Sequence, residues 1–321
     1  MTAAVTVDVA GAQMGGAARF AGELRGYLAR TGRSDVRVIG GARRVDPRWL
    51  LQREMSAPGG GRRVALNNVS FVAPGAERWA LLRNALHFLT AAEAARLDPK
   101  LRASVRREAA VVRLCARRAD VIVVPCTAMS ERVTRAMPAA RRRVVIRPHP
   151  VSADPVPSRQ RDAAILCPVL FAPYKQMSER LAELMMAVRE CGNPSVLVRI
   201  TAAPADMPPW LASDPRLEFL GRLDQRELSR VRARSSAIYF PTGLESFGYP
   251  LAEARASGHP VIARDTPQNK EIAGAALCGF SPGDPQSLRS AVALALSKDV
   301  TPDPVPFDPD AYFNWMLGEP R

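Results

Sequence analysis

Short runs of apolar residues alternate with longer amphipathic stretches along most of this sequence. Continuous apolar runs bounded by helical patterns are typical of strands in a parallel sheet that is covered on both faces. The pattern therefore predicts an α/β protein in which strands and helices alternate. The predicted strands are Val5–Ala10, Asp35–Gly40, Arg63–Leu66, Arg78–Leu82, Asp120–Val124 and Arg143–Ile146, followed by Ala163–Cys167, Ser195–Ile200, Leu217–Gly221, Ala237–Phe240 and Pro260–Ala263.

Two domains follow from the way these strands are spaced. The segment Val151–Ser158 mixes prolines with small polar residues, which is typical of a linker. A chain of 321 residues is also long for a single core. We expect one domain at residues 1–152, a second at 153–305, and a short terminal helix within 306–321. Residues 90–118 are predicted to be helical with a break near Pro99.

Composition limits the function classes. The formal charge is +14, and the arginines cluster in the first half without the interleaved aromatic residues that base stacking needs, so nucleic acid is not an expected partner. Contact with a membrane surface stays open. The five cysteines have no paired spacing, which predicts neither zinc nor disulfides. No apolar run approaches the ~20 residues of a membrane span, and the first residues lack a secretory signal pattern, so we expect a cytoplasmic protein.

One segment carries most of the candidate chemistry. After the predicted strand Ala237–Phe240, a loop containing Gly248 leads into a helix, and the carboxylates Glu245 and Glu253 lie on either side of that helix start. The N-terminus of a helix presents free N–H groups and partial positive charge, which favours a phosphate, and Gly248 permits close approach to the main chain. Carboxylates beside a bound phosphate are best used to accept hydrogen bonds from sugar hydroxyls.

These residues resemble the glutamate-x7-glutamate motif of the retaining glycosyltransferases of family 4. The resemblance implies the GT-B fold, in which two Rossmann-like domains have parallel sheets facing across a cleft. It also implies that Glu245 lies beside the transferred sugar and that Glu253 holds the ribose. The main-chain N–H groups of Ser246, Phe247, Gly248 and Tyr249 are then expected to meet the sugar and the diphosphate.

Two sites in the first half extend the resemblance. Gly15 and Gly16 match a Gly-Gly-x-x-Arg stretch of the family that ends at Arg19, and we expect these glycines to contact donor phosphate or acceptor. His87 lies in a loop where family members often have a histidine near the transferred sugar. Asn67, Asn68 and Ser70 follow a strand and are candidates for acceptor recognition, with turn formation as the alternative. His149 and His259 are expected to be structural.

The leaving diphosphate needs a cation, and Lys175 is the candidate. The family has an arginine a few residues before this lysine, but here that place is taken by an apolar residue, Leu170. Either another arginine, such as Arg199 or Arg222, replaces it, or the donor binds differently. We expect no bound metal and no cofactor besides the donor itself.

The expected activity is sugar transfer with retention from a nucleoside-diphosphate sugar, with uridine diphosphate favoured. The acceptor is expected to be a small molecule, a natural product or a lipid-linked envelope glycan precursor. Two alternatives remain at this point: a sugar-nucleotide epimerase of the same architecture, and a non-catalytic nucleotide-binding subunit. The oligomeric state is left open.

Overall fold

The computed structural model describes residues 5–57, 60–152, 161–168 and 175–319, and these form two compact units. One unit consists of Met1–Ser152 together with Glu245–Phe247 and Phe307–Arg321. The other consists of Ala153–Leu244 and Gly248–Pro306. From residue 153 onward, the predicted linker lies outside the described residues.

The first unit is built on a six-stranded sheet with the order β2-β1-β3-β4-β5-β6, in which every pairing is parallel. Its strands are β1 (Val5–Asp8), β2 (Val36–Ile39), β3 (Arg62–Ala65), β4 (Glu77–Leu81), β5 (Val121–Val124) and β6 (Val144–Ile146). Its helices up to residue 152 are α1 (Gly15–Thr31), α2 (Pro47–Ser56), α3 (Ala91–Ala95), α4 (Pro99–Ala116) and α5 (Thr127–Ala136). Strand β1 is fully buried, and the last three residues of β3, β4 and β5 are buried as well.

The predicted break near Pro99 is confirmed. Helix α3 ends at Ala95, and α4 begins at Pro99 with the carboxylate of Asp98 accepting hydrogen bonds from the first-turn N–H groups. Proline suits the first position of a helix because its missing N–H has no partner there in any case.

The second unit has the same kind of sheet, with the order β12-β11-β10-β7-β8-β9 and parallel pairings throughout. Its strands are β7 (Asp162–Cys167), β8 (Leu197–Ile200), β9 (Leu217–Phe219), β10 (Ser235–Phe240), β11 (Val261–Arg264) and β12 (Leu277–Phe280). Its helices are α6 (Met177–Glu190), α7 (Pro209–Ala212), α8 (Gln225–Arg234), α9 (Tyr249–Ser257), α10 (Pro267–Ala273) and α11 (Pro285–Ser297). Strand β12 was not predicted from the sequence.

The last helix, α12 (Pro309–Leu317), is part of the first unit. It packs on α1, where the hydroxyl of Tyr27 donates a 2.6 Å hydrogen bond to the side chain of Asn314. The ring of Phe20 on α1 meets Tyr312 and Phe313 edge to face, at 5.5 and 5.7 Å between centroids. The aromatic residues of the terminal helix are therefore core residues of the first unit.

A buried carboxylate organises the carboxyl end of β1. Asp8 is fully buried and accepts hydrogen bonds from Arg53 Nη1 and Asn67 Nδ2, both at 2.7 Å, and from Trp49 Nε1 at 3.2 Å. Gly40 lies directly against this network with a φ of 80°, and a Cβ there would fall 2.5 Å from Asp8 Oδ1. Only glycine fits this position.

In the part of the chain that the structure describes, no helix is both long and apolar enough to cross a membrane.

Candidate functional site

The loop between β10 and α9 lies at the carboxyl end of the parallel sheet of the second unit, where open α/β sheets bind ligands. Gly248 precedes α9 with a φ of 87°, and a Cβ there would approach Phe240 and Leu251 to 3.0 Å. Glycine is therefore required for the chain to turn into the helix. Pro250, which has no N–H group, is the second residue of α9, and the N–H of Leu251 donates to the carbonyl of Gly248 at 2.9 Å.

The middle of the motif, Glu245–Phe247, belongs to the first unit. The hydroxyl of Ser246 donates a 2.6 Å hydrogen bond to the carbonyl of Arg83, and the thiol of Cys126 donates to the carbonyl of Ser246 at 3.2 Å. Phe247 is 2% exposed and its ring lies 4.9 Å from that of His149. The side chains of Ser246 and Phe247 therefore anchor the loop, and only their main chain remains for a ligand.

This anchoring joins two sequence-predicted sites. Ser246 is held on the segment that begins at Arg83 and contains His87, so Glu245, Ser246 and His87 belong to one unit. Gly15 and Gly16 belong to this unit as well. Lys175, Gly248, Tyr249 and Glu253 belong to the other.

Glu253 differs from the expectation for a ribose ligand. It is 5% exposed and its Oε2 lies 2.5 Å from Nη1 of Arg232, which is 2% exposed, so the two side chains form a buried ion pair between α8 and α9. The sequence contains a signal for this pair that we did not use. Arg232 follows Leu228 and Val231 at helical spacing, so it lies on the apolar stripe of an otherwise polar helix.

Glu245 is half buried and, like Tyr249, has interactions within the protein. The structure places Glu245 directly before the anchored Ser246. Its role beside the sugar stays a prediction.

His87 lies in a short 3-10 helix, Ala85–Phe88, and is 6% exposed. The amide of Asn84 is oriented by accepting a hydrogen bond from the N–H of Leu86 at 3.1 Å, so its NH₂ group faces Nε2 of His87 at 3.3 Å. In this arrangement Nε2 accepts a hydrogen bond from the Asn84 amide, and the neutral imidazole of His87 has its proton on Nδ1. Glu108 lies 3.6 Å from Nε2.

The Nδ1 atom of His87 is buried and has no hydrogen-bond partner among the described residues. Burial lowers the pKa of His87 below its ordinary value, an effect that Glu108 opposes. The main chain of His87 is held by Arg113, whose guanidinium donates to the His87 carbonyl at 2.7 and 3.1 Å. A buried donor without a partner is rare in folded proteins, and a ligand atom could supply the missing acceptor.

The glycine pair opens α1. Gly15 has a φ of 57° and both Gly15 and Gly16 are exposed, while Met14 before them makes no side-chain cap. Arg19 forms an ion pair with Glu23 at 2.9 Å, and Glu23 also accepts a hydrogen bond from the N–H of Ser152 at 3.0 Å. The glycines are open to a ligand, whereas Arg19 is used within the unit.

The side chains proposed for acceptor recognition are used internally. Asn67 donates to Asp8, the Oδ1 of Asn68 accepts from the N–H of Arg83 at 2.7 Å, and the buried Ser70 hydroxyl donates to the carbonyl of Phe71 at 2.9 Å. Turn formation is the reading that fits these three residues, and we do not assign them a ligand.

Lys175 is half buried and lies just before α6. Leu170, where the family's arginine is missing, lies outside the described residues. Arg199 does not replace that arginine, because it is held by Asp162 at 2.7 Å and by Glu218 at 2.8 Å. Arg222 is exposed.

Residues 214–305 match the family model described as glycosyl transferases group 1. The matched segment contains both Glu245 and Glu253. The resemblance first seen in the glutamate motif is thus confirmed at the level of this family.

Several known proteins are similar to this chain or to part of it. The serotype-specific mannosyltransferase WbdA of Escherichia coli is 39% identical over 77 residues, which is 24% of this chain and 9% of WbdA, so the match spans less than a tenth of that relative. The solved structure of WaaG, a glycosyltransferase involved in lipopolysaccharide biosynthesis, has a TM-score of 0.62 at 13% identity and covers 98% of this chain and 95% of its own. S. aureus TarM, in a complex that contains UDP, also has a TM-score of 0.62, at 11% identity, and covers 82% of this chain and 53% of its own.

These structures, together with the two parallel six-stranded sheets, confirm the predicted fold class, α/β of the GT-B type.

Proposed function

We propose that this protein is a glycosyltransferase that moves a sugar from a nucleoside-diphosphate sugar to a hydroxyl group of an acceptor. The proposal is supported by the match of residues 214–305 to the glycosyl transferases group 1 and by the fold. The observation that carries it is the loop from Glu245 to Gly248. This loop follows a central parallel strand, contains a glycine whose positive φ and close neighbours disfavour any side chain, and leads into the N-terminus of α9.

The N-terminus of α9 is suited to the diphosphate of the donor. The partial positive charge of this helix end stabilises an anion, and this stabilisation grows as negative charge develops on the leaving nucleoside diphosphate. Lys175 is the proposed second cation. No metal ion is needed in this scheme.

Transfer proceeds with retention in our proposal. The acceptor hydroxyl attacks from the face that the diphosphate leaves, and a phosphate oxygen takes its proton, so the protein supplies orientation and charge stabilisation but no nucleophile. Glu245 accepts a hydrogen bond from a hydroxyl of the transferred sugar. Neutral His87 donates from its unpartnered Nδ1–H to another sugar oxygen, because burial keeps its pKa low.

For the donor we propose a uridine diphosphate sugar, a choice supported by the UDP in the TarM complex. Because WbdA is described as a mannosyltransferase, mannose is among the sugars to be tested. For the acceptor we propose a small molecule, a natural product or a lipid-linked envelope precursor, which the protein meets in the cytoplasm or at a membrane surface.

The test is release of nucleoside diphosphate from UDP- and GDP-sugars with and without a panel of hydroxyl acceptors. We expect acceptor-dependent release of UDP and a product whose anomeric configuration, measured by NMR, matches that of the donor. Two other results would each replace the proposal. Isomerisation of the donor without acceptor identifies an epimerase, and tight binding without any turnover identifies a non-catalytic subunit.

The variant Glu245→Gln tests the role of Glu245 in the same assay. Glutamine keeps the size of the side chain but loses the charge that strengthens a hydrogen bond to a sugar hydroxyl. We expect a kcat at least ~10-fold lower with UDP affinity nearly unchanged. An unchanged kcat removes Glu245 from the proposed site.

A further inference from the structure

An unusual arginine lies at the end of β11 in the second unit. The Nε of Arg264 donates a 2.8 Å hydrogen bond to the carbonyl of Pro241, the residue that follows β10. Its guanidinium lies against the main chain of Gly243, where a Cβ would fall 2.7 Å from the guanidinium carbon. Arg264 therefore packs on the start of the loop that leads to Glu245.

The two terminal nitrogens of Arg264 have no hydrogen-bond or ion-pair partner in the described part of the chain. The side chain is nevertheless half buried. A guanidinium carries five N–H donors, and a buried one is normally matched by carboxylates or carbonyls. In the same unit Arg255, for comparison, is held by Asp303 through Nε at 2.9 Å and Nη2 at 2.7 Å.

A second arginine stands near Arg264. Arg180 on α6 holds Glu183 with its Nη1 at 2.8 and 3.0 Å, and its carbonyl accepts a hydrogen bond from Tyr239 at 3.0 Å. Burial, and after it the charge of Arg180, lower the pKa of the Arg264 guanidinium, while Tyr239 and Glu183 act in the opposite direction. Glu183 is paired with Arg180 and contributes only a longer-range attraction to Arg264, so a net positive charge remains.

We propose that Arg264 binds the β-phosphate of the nucleoside-diphosphate donor through its terminal nitrogens, with Arg180 as the second positive charge. In this role it replaces the arginine that the sequence lacks at Leu170. The inference rests on the proposed function. It is supported by position, because the ends of β10 and β11 lie at the edge of the sheet from which the glutamate loop starts.

Isothermal titration calorimetry on the full chain tests this assignment. The probes are UDP and UMP, or the corresponding pair if the wild type binds GDP, ADP or TDP instead. Arg264→Gln is expected to weaken the diphosphate about 10- to 100-fold, the range of one or two charged hydrogen bonds, and the monophosphate by less than about threefold. Arg230→Gln, at an exposed position of α8, removes the same charge and is expected to change neither affinity.

Gly243→Ala provides a second variant that keeps the arginine. The new Cβ takes the space that the Arg264 guanidinium fills, so the guanidinium must move. The backbone at Gly243 is not left-handed, so alanine is otherwise tolerated there. We expect a loss of diphosphate affinity similar to that of Arg264→Gln. In the double variant the two losses should not add, because both act through the same group. Circular dichroism confirms that each variant is folded.

The two possible failures are distinguishable. If the wild type binds UDP and Arg264→Gln binds it equally well, or if both nucleotides weaken to the same extent, the assignment of Arg264 is overturned while the proposed function stands. If the wild type binds no nucleoside diphosphate, the proposed function fails and the assignment with it.

Discussion

Removing Glu253 leaves a charged guanidinium in the interior of the second unit. Arg232 and Glu253 are both almost fully buried, and their side chains meet at 2.5 Å between α8 and α9. In Glu253→Ala the carboxylate is lost and Arg232 keeps its charge without that partner. Breaking a buried pair in this way typically costs about 3–5 kcal/mol of the free energy of unfolding.

The pair as a whole is expected to contribute far less. When both charges are replaced by apolar side chains of similar volume, neither desolvation cost remains and packing is largely preserved. We therefore expect Arg232→Met/Glu253→Met to lie within about 1.5 kcal/mol of the wild type. The control is Glu190→Ala, which breaks the Arg289–Glu190 pair of the same unit. Because those side chains are 40% and 47% exposed, its cost should stay below about 1 kcal/mol.

Hydrogen exchange followed by mass spectrometry is the suitable assay, because a chain of two units need not unfold in one step. Peptides from α8 and α9 report on the second unit alone. A loss of 3–5 kcal/mol in the free energy of unfolding makes the most protected amides exchange about 150- to 4,000-fold faster. Exchange in Glu253→Ala within about fivefold of the wild type refutes the reasoning on the buried pair.

The double variant also separates the two roles of Glu253. It is expected to be folded, so its affinity for UDP can be measured. If Glu253 also holds the ribose, as the resemblance implies, affinity falls at least ~10-fold. If affinity is unchanged, Glu253 is a structural residue and the ribose is bound elsewhere.

Three further predictions concern the first unit. Burial lowers the pKa of His149 well below its ordinary value. The unfolded chain therefore binds a proton between pH 6.5 and 5.5 that the folded chain does not, and the free energy of unfolding should fall by up to about 1.4 kcal/mol over that interval. Urea unfolding should show a smaller fall in His149→Phe. Gly40→Ala should lose more than about 3 kcal/mol or fail to fold, because its Cβ meets the buried network at β1, whereas Gly41→Ala, with open space around it, should change thermal unfolding little. Tyr27→Phe should lower stability by about 1 kcal/mol through the lost hydrogen bond to Asn314, and an unchanged melting temperature would contradict the packing of α12 on α1.

The sequence was informative wherever one local pattern determines the structure. Apolar runs located every strand except β12, Pro99 located the break between α3 and α4, and the terminal helix lies within the predicted residues 306–321. Strand β12 was missed because Leu277–Phe280 is only four residues long and contains Gly279, which β-strands disfavour.

The candidate site was predictable in part. The glutamate motif located the loop and the start of α9, since proline and glycine have strict positional preferences there. The partner of Glu253 depends on how α8 packs on α9, and the anchoring of Ser246 on Arg83 joins residues 163 positions apart. The spacing of Arg232 in α8 indicates that it faces inward, but no pattern in the sequence identifies the carboxylate that it meets or the carbonyl that holds Ser246. Arg264 was not predicted as a site residue, because it contacts Gly243 and Pro241 only in the folded sheet.

A crystal structure of the protein with UDP tests the central claim most directly. We predict density for the diphosphate at the N–H groups that open α9, with a phosphate oxygen within hydrogen-bond distance of Arg264. A nucleotide bound at another place, or a loop between Glu245 and Glu253 that stays empty at saturating UDP, contradicts the account.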